Sequence, residues 1–189
     1  MKRLILAAAA ALTFSSAQAL DLEGFQFDDK LKLGNADLVI NGAGVRSKFG
    51  KRYAMALYLP AKATDPKSAL ATKGPKRIAI SLIKDVDGDT FAGAVSKGIN
   101  NNASDAEQAA LKERVKQLVD TVNALGEIKA RSTIVFDLIP EKGTVLTING
   151  QQKGRDIPGE DFANALLRVW LGEDPVQNDL KQALLGKAQ

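Results

Sequence analysis

The chain has 189 residues, a formal net charge of +4, 25% charged residues, and neither cysteine nor histidine. The absence of histidine excludes Ser-His-Asp and Cys-His nucleophilic catalysis and disfavours the usual zinc, copper and haem sites, so we expect no metal and no cofactor. Without cysteine no disulfide can form, and the interspersed charges form no basic stripe of the kind that binds nucleic acid.

Residues 1–19 have the pattern of a secretory signal peptide. Two cations precede an apolar run, Leu4–Thr13, which is too short to span a bilayer, and Ala17–Ala19 forms a small-x-small cleavage site. Cleavage would leave residues 20–189 as a single domain with a net charge of +2. No later apolar run has the length of a membrane helix, so we expect a soluble protein exported to a bacterial periplasm.

The first half of the domain is predicted to be mostly strand. In the segment Arg52–Leu59, Tyr53 and Met55 alternate with Ala54, so the two faces of the strand differ. The other elements predicted here are a ribbon at Phe25–Leu33, a strand at Asp37–Val45, a short helix capped by Asp65, and a strand at Arg77–Ile83.

The second half is predicted to contain two helices, a hairpin and two further helices. The first helix runs from Phe91 to about Asn100 with Asp89 or Thr90 as its cap, and Asn100–Asn102 forms a loop. The remaining elements are a helix from the capping box Ser104–Glu107 to Gly126, strands at Ser132–Ile139, Thr144–Asn149 and Gln151–Lys153, an amphipathic helix across Phe162–Trp170, and a last helix at Asn178–Leu185. This order indicates an α+β domain in which helices cover one face of a largely antiparallel sheet.

Arg46 is a single cation beside an otherwise apolar sheet face. A guanidinium in that position can hold a ligand that carries a carboxylate or carbonyl group. The alternative is a salt bridge with a surface carboxylate at the end of the strand. The nearby Lys48, Lys51 and Arg52 are either solvated rim charges or raise the local potential for an anionic ligand.

Two short motifs look like ligand loops but lack required parts. Gly42–Ser47 has no third glycine and leads into a strand, so no helix N-terminus can receive a nucleotide phosphate. Its glycines are better explained by a bulge or the close approach of another backbone. Asp85–Asp89 has its glycine too early for a calcium loop, and its carboxylates suit a helix N-terminus.

Two blocks of the sequence together resemble the chalcone isomerase family. Asn41–Arg46 followed by Tyr53–Leu59 resembles the glycine-arginine turn and the next strand of that family, and Phe162–Gly172 with Asp179–Leu185 resembles its C-terminal helix and closing segment. The pattern is most similar to the exported bacterial chalcone isomerase-like group. The resemblance implies an open-faced sandwich, a large antiparallel sheet covered by helices, with the ligand cleft between them.

The resemblance also implies a chemistry. In the family's enzymes an arginine steers an enone while hydroxyl groups assist the intramolecular attack of a phenolate. Arg46 matches that arginine, and Tyr53 stands where the plant enzymes have a threonine. The family's other polar positions fall on apolar residues or glycine in this chain, namely Phe91, Ala94, Gly98 and Val169. This departure disfavours chalcone cyclisation.

The surviving residues suit the binding of a fatty acid or similar small hydrophobic carboxylate, a role that the resemblance also implies because non-enzymatic members of the fold family bind fatty acids. Arg46 would anchor the anion and Tyr53 would donate a hydrogen bond. Candidate cleft-lining residues are Met55, Phe91, Val169 and Trp170. One alternative is an intramolecular lyase or isomerase of an enone-like substrate, with Arg46 as its catalytic residue. The other is a structural or interaction protein whose cleft is filled by Met55, Phe91 and Trp170; its protein partner is not predicted.

Overall fold

The computed structural model describes residues 19–187, so the predicted signal peptide lies outside the described residues except for Ala19. The strands are β1 (Ala19–Leu22), β2 (Phe25–Asp28), β3 (Lys30–Leu33), β4 (Ala36–Ser47), β5 (Lys51–Leu59), β6 (Lys76–Leu82), β7 (Val86–Asp87), β8 (Glu127–Ile128), β9 (Thr133–Ile139), β10 (Gly143–Ile148) and β11 (Gln151–Ile157). The helices are α1 (Pro66–Ala71), α2 (Gly88–Asn101), α3 (Asp105–Asn123), α4 (Glu160–Leu171) and α5 (Asn178–Leu184).

Seven of these strands form one sheet in the order β11-β10-β9-β6-β5-β4-β3, and every neighbouring pair is antiparallel. The predicted α+β architecture with a large antiparallel sheet is therefore confirmed. β1 and β2 form a separate ribbon, and β7 pairs only with β8.

The two faces of the sheet are covered differently. The alternation predicted for β5 holds: Met55 and Leu57 belong to the large core shared with the helices, whereas Ala54 and Ala56 belong to a smaller cluster on the other face. Phe27 of the β1–β2 ribbon packs into that smaller cluster. The helices thus cover one face, and the ribbon covers part of the other.

Two helix starts agree with their predicted caps, and one differs. Asp65 caps α1, and Ser104 with Glu107 forms the capping box of α3. The prediction that Asp89 or Thr90 caps α2 is wrong, because the helix begins earlier, at Gly88. The N–H of Gly88 donates to the carbonyl of Gly126 at 2.8 Å, a contact distant in sequence that places the helix start there.

Two other boundaries also differ from prediction. Asn100 and Asn101 belong to α2 rather than to a loop, and Asn102 is the C-cap, where its side-chain amide donates to the carbonyl of Gly98. β11 extends to Ile157 because its pairing with β10 continues past a bulge.

The glycine-rich segment of β4 brings the C-terminal helix against the sheet. A side chain at Gly42 would collide with the backbone of Ala183, which confirms the close approach expected there. The buried amide of Asn41 donates to the carbonyls of Ala63 and Leu184 and accepts from the N–H of Ala63. These contacts hold the C-terminal end of α5 against the middle of β4, at Asn41 and Gly42.

Candidate functional site

Arg46 and Tyr53 are directly opposite each other in the antiparallel pair of β4 and β5. Opposed residues of such a pair project from the same face of the sheet. That face is the one covered by helices, since Tyr53 packs against the large core. The structure thus brings together the two residues predicted to hold the polar end of a ligand.

The side chain of Gln177, which precedes α5, orients Arg46. One terminal nitrogen of the guanidinium, Nη1, donates to the Oε1 of Gln177 at 3.0 Å and to the carbonyl of Ser47 at 2.8 Å. The same Oε1 accepts from the N–H of Ser47 at 2.8 Å. Within residues 19–187, Arg46 forms no ion pair, and its Nε and Nη2 have no hydrogen-bond partner. The edge of the guanidinium that can bind a carboxylate in bidentate fashion is therefore unoccupied by other side chains.

Tyr53 is joined to α4 by its hydroxyl. The indole Nε1 of Trp170 donates to the Tyr53 hydroxyl oxygen at 3.0 Å. Burial raises the pKa of Tyr53, although the Trp170 hydrogen bond and the positive charge of Arg46 act in the opposite direction. The phenol therefore stays protonated at neutral pH. Because its oxygen already accepts from Trp170, its proton is available to a ligand, and no acceptor for it exists among the described residues.

A cavity of about 380 Å³ adjoins these groups, within the range of small-molecule sites. Its buried walls come from the sheet and from α2 and α4, and they are apolar: Leu82, Phe91, Val95, Val169 and Trp170. The exposed rim carries Lys48, Phe49, Arg52, Lys84, Asp85, Asp87 and Thr90. The arrangement combines an apolar interior with a polar end at Arg46 and Tyr53.

Five of the six residues predicted for the site line this cavity: Arg46, Tyr53, Phe91, Val169 and Trp170. Met55 does not, because it lies two residues further along β5 and is only 1% exposed in the core. The candidate lining by Met55 is thus corrected. Nothing in the local sequence pointed to Gln177 or Lys84, since each reaches the site only through the fold.

The positions where the resemblance to chalcone isomerases implies further polar side chains hold apolar residues or glycine. Phe91, Ala94 and Val169 line the cavity, and Gly98 is buried where an added Cβ would collide with the side chain of Val169. The polar side chains that contact the inner cavity are therefore concentrated at the Arg46 end.

Two other depressions have a different chemistry. A cavity of about 380 Å³ near the start of α4 is lined by Lys73, Lys76, Glu141 and Glu160 among others. A larger groove of about 1380 Å³ is lined by side chains of both charges from several helices, including Glu107 and Arg168. The first contains no arginine, and in the second the Arg168 guanidinium is already ion-paired with Glu107. Arg46 forms no ion pair among the described residues, so its cavity is the better candidate.

The part of the chain that the structure describes contains no group of three or more acidic side chains placed to hold a metal ion. None of the helices between residues 19 and 187 combines the length and hydrophobicity needed to cross a membrane.

Comparison with known proteins agrees with this architecture. No curated protein matches the sequence significantly. The fold is similar to the crystal structure of a fatty-acid binding protein from Arabidopsis thaliana, with a TM-score of 0.63 and 13% sequence identity over 89% of this chain and 96% of that one. Residues 19–186 match the chalcone isomerase-like family. The chain therefore belongs to the chalcone isomerase-like family.

Proposed function

We propose that this protein binds a fatty acid or similar small hydrophobic carboxylate in the Arg46 cavity without transforming it. One observation carries the proposal: the unpaired edge of the Arg46 guanidinium and the available proton of Tyr53 stand together at the end of an apolar cavity. A small anionic head group with an apolar tail satisfies both parts.

The head group would be held by three donors. The Nε and Nη2 of Arg46 offer two parallel N–H groups to the two oxygens of a carboxylate, and the Tyr53 hydroxyl adds a third hydrogen bond. Charge-assisted bonds of this kind are about twice as strong as neutral ones. Gln177 holds the guanidinium in place before the ligand arrives, which reduces the entropy lost on binding.

The tail would lie against Phe91, Val169 and Trp170. Each buried methylene contributes about 0.8 kcal/mol, so affinity should rise about fourfold per methylene until the cavity is full. A volume of about 380 Å³ is at the small end of ligand sites, so the rise should stop at a medium chain length.

The structural similarity to a plant fatty-acid binding protein supports this function. At 13% identity the similarity concerns the fold, so the assignment rests on the site itself. In the alternative function, Met55, Phe91 and Trp170 fill the cleft and Arg46 forms a salt bridge. It is less well supported, because an open cavity remains beside Arg46.

The enone-directed isomerase remains the competing function, since Arg46 and Tyr53 could also polarise a carbonyl. We disfavour it because Phe91, Ala94 and Val169, which match the family's polar positions, carry no hydroxyl or amine. The amines of Lys48 and Lys84 and the hydroxyl of Thr90 lie on the exposed rim. Incubation with several chalcones should leave their visible absorbance unchanged. If the wild type removes that absorbance and Arg46→Ala does not, the protein is a catalyst instead.

The test of binding compares an acid with the alcohol of the same chain length by titration calorimetry. Arg46→Ala should weaken binding of decanoic acid on the order of tenfold or more and that of decanol much less, because only the acid uses the guanidinium. Arg155→Ala, which removes an exposed arginine of β11, is the matched control and should change neither. Equal affinities of wild type and Arg46→Ala for the acid would refute the role of Arg46.

We also propose that the protein is exported to the periplasm of a bacterium, on the pattern of residues 1–19. Mass spectrometry of the protein recovered from a periplasmic extract should give a chain that begins at Leu20. Retention of the full chain in the cytoplasm would contradict export.

A further inference from the structure

The tip of the β4–β5 hairpin presents an aromatic side chain to solvent. Phe49 is 91% exposed, whereas the only other exposed large apolar residue in the described chain is Leu20, at 41%. Phe49 also has a left-handed backbone conformation, with φ of 53°, in which asparagine is favoured over a bulky residue. A phenylalanine at this position is therefore explained neither by packing nor by the turn.

Three cations lie at the same hairpin tip as this ring. Lys48 and Arg52 flank it in the hairpin, and the Nζ of Lys84 lies beside Gly50 at the same tip. Within residues 19–187 none of these three forms an ion pair. Asp85 lies on the same rim, but it already forms an ion pair with Lys129 and accepts a hydrogen bond from the N–H of Ala130.

Asp87 also lies on this rim and reduces the positive charge there. Together, the three cations of the rim and Arg46 of the cavity are opposed by two carboxylates, of which one is paired. The result is a positively charged surface with one projecting aromatic ring. We name the tip formed by Lys48, Phe49, Arg52 and Lys84 the basic tip.

We propose that the basic tip docks on the surface of an anionic lipid bilayer, with Phe49 inserted at the level of the head groups and the cations beside the lipid phosphates. Aromatic rings favour that interface, and each lysine or arginine near an anionic surface adds to the attraction. A protein partner is a poorer fit, because a stable protein interface needs roughly 1,000 Å² of well-packed surface and the tip offers a single ring.

The basic tip is also the rim of the Arg46 cavity. Docking would therefore bring the cavity opening to the membrane, where a hydrophobic carboxylate could pass between bilayer and protein. This use of the docked state rests on the proposed function, whereas docking itself follows from the exposed ring and the unpaired cations.

The experiment is co-sedimentation of the ligand-free protein with vesicles. The wild type should bind vesicles of equal parts phosphatidylcholine and phosphatidylglycerol, bind less as salt is raised, and bind pure phosphatidylcholine weakly. Phe49→Asn, which suits the left-handed turn, should reduce binding on the order of tenfold, and Phe49→Trp should retain it. Lys48→Gln with Lys84→Gln should reduce binding on the order of tenfold or more.

The control pair is Lys67→Gln with Lys112→Gln, which removes the same charge from exposed positions on α1 and α3. Equal binding of wild type to neutral and anionic vesicles, or an equal loss in the control pair, would overturn the proposal. Because no fatty acid is present, the result is independent of the calorimetric test. Vesicle binding without decanoic acid binding would refute the proposed function alone. Decanoic acid binding without vesicle binding would refute docking alone.

Discussion

The indole N–H of Trp170 donates a hydrogen bond to the hydroxyl of Tyr53 at 3.0 Å and so joins α4 to β5 in the wall of the cavity. The two residues are 117 positions apart in the sequence. This bond directs the Tyr53 proton away from Trp170 and toward the cavity. It therefore links the packing of helix on sheet to the donor that the proposed ligand requires.

Removing the Tyr53 hydroxyl should destabilise the protein as well as the site. Tyr53→Phe leaves the N–H of Trp170, a residue that is 2% exposed, without an acceptor, which should cost about 1–3 kcal/mol of unfolding free energy. Urea unfolding of Tyr53→Phe, Trp170→Phe and the double variant measures the coupling between the two residues. Strictly additive effects would show that the hydrogen bond contributes nothing.

Ligand entry should be visible in the fluorescence of Trp170, the single tryptophan of the chain. Because Trp170 lines the cavity, a fatty acid brominated along its chain should quench the emission at concentrations where calorimetry shows binding. The unbrominated acid and inorganic bromide are the controls. Calorimetric binding without quenching would place the ligand at another site.

The spacing between α2 and α4 should depend on Gly98. A Cβ at this position would lie 2.8 Å from the Cγ1 of Val169, so Gly98→Ala should lower stability by about 1–3 kcal/mol through overpacking. Val169→Ala removes the colliding methyl groups and should make Gly98→Ala much less harmful. Gly93→Ala, on the same helix with open space at its Cβ, should be neutral or stabilising. Equal effects of the substitutions at positions 93 and 98 would contradict the tight contact.

Stability should depend on Glu107 at acidic pH. The Arg168 hydrogen bond, with that from the Ser104 backbone, lowers the pKa of Glu107 from 4.5 to about 2. A lowered pKa means that the folded state favours the carboxylate, so this contribution is present above pH 4.5 and is lost as the pH falls toward 2. The free energy of unfolding of Glu107→Gln should therefore change less with pH over this interval than that of the wild type. Glu113→Gln, on the same helix, is the control and should follow the wild type.

The sequence predicted those parts of the fold that depend on local pattern. The period of two in β5 placed Tyr53 on the helix-covered face, and the capping box at Ser104 placed the start of α3. The start of α2 was missed because a carbonyl at Gly126, distant in sequence, fixes Gly88. The end of β11 was missed because its residues are mostly polar, so the sequence shows no alternation of apolar and polar residues beyond Lys153.

The residues of the candidate site likewise fall into those that the local sequence pattern predicted and those that only the fold brings together. Arg46 and Tyr53 lie on adjacent strands, so strand pairing was enough to bring them together. Gln177 contacts Arg46 only because Asn41 and Gly42 hold α5 against β4, a relationship that no spacing in the sequence expresses. Met55 was wrongly included because alternation gives the face of a residue but not its depth.

The most direct test of the central claim is a crystal structure of the protein with bound decanoic acid. The account predicts that the carboxylate accepts hydrogen bonds from the Nε and Nη2 of Arg46 and from the Tyr53 hydroxyl, with the chain against Phe91 and Trp170. A carboxylate bound instead at Lys76, in the cavity near the start of α4, would contradict it.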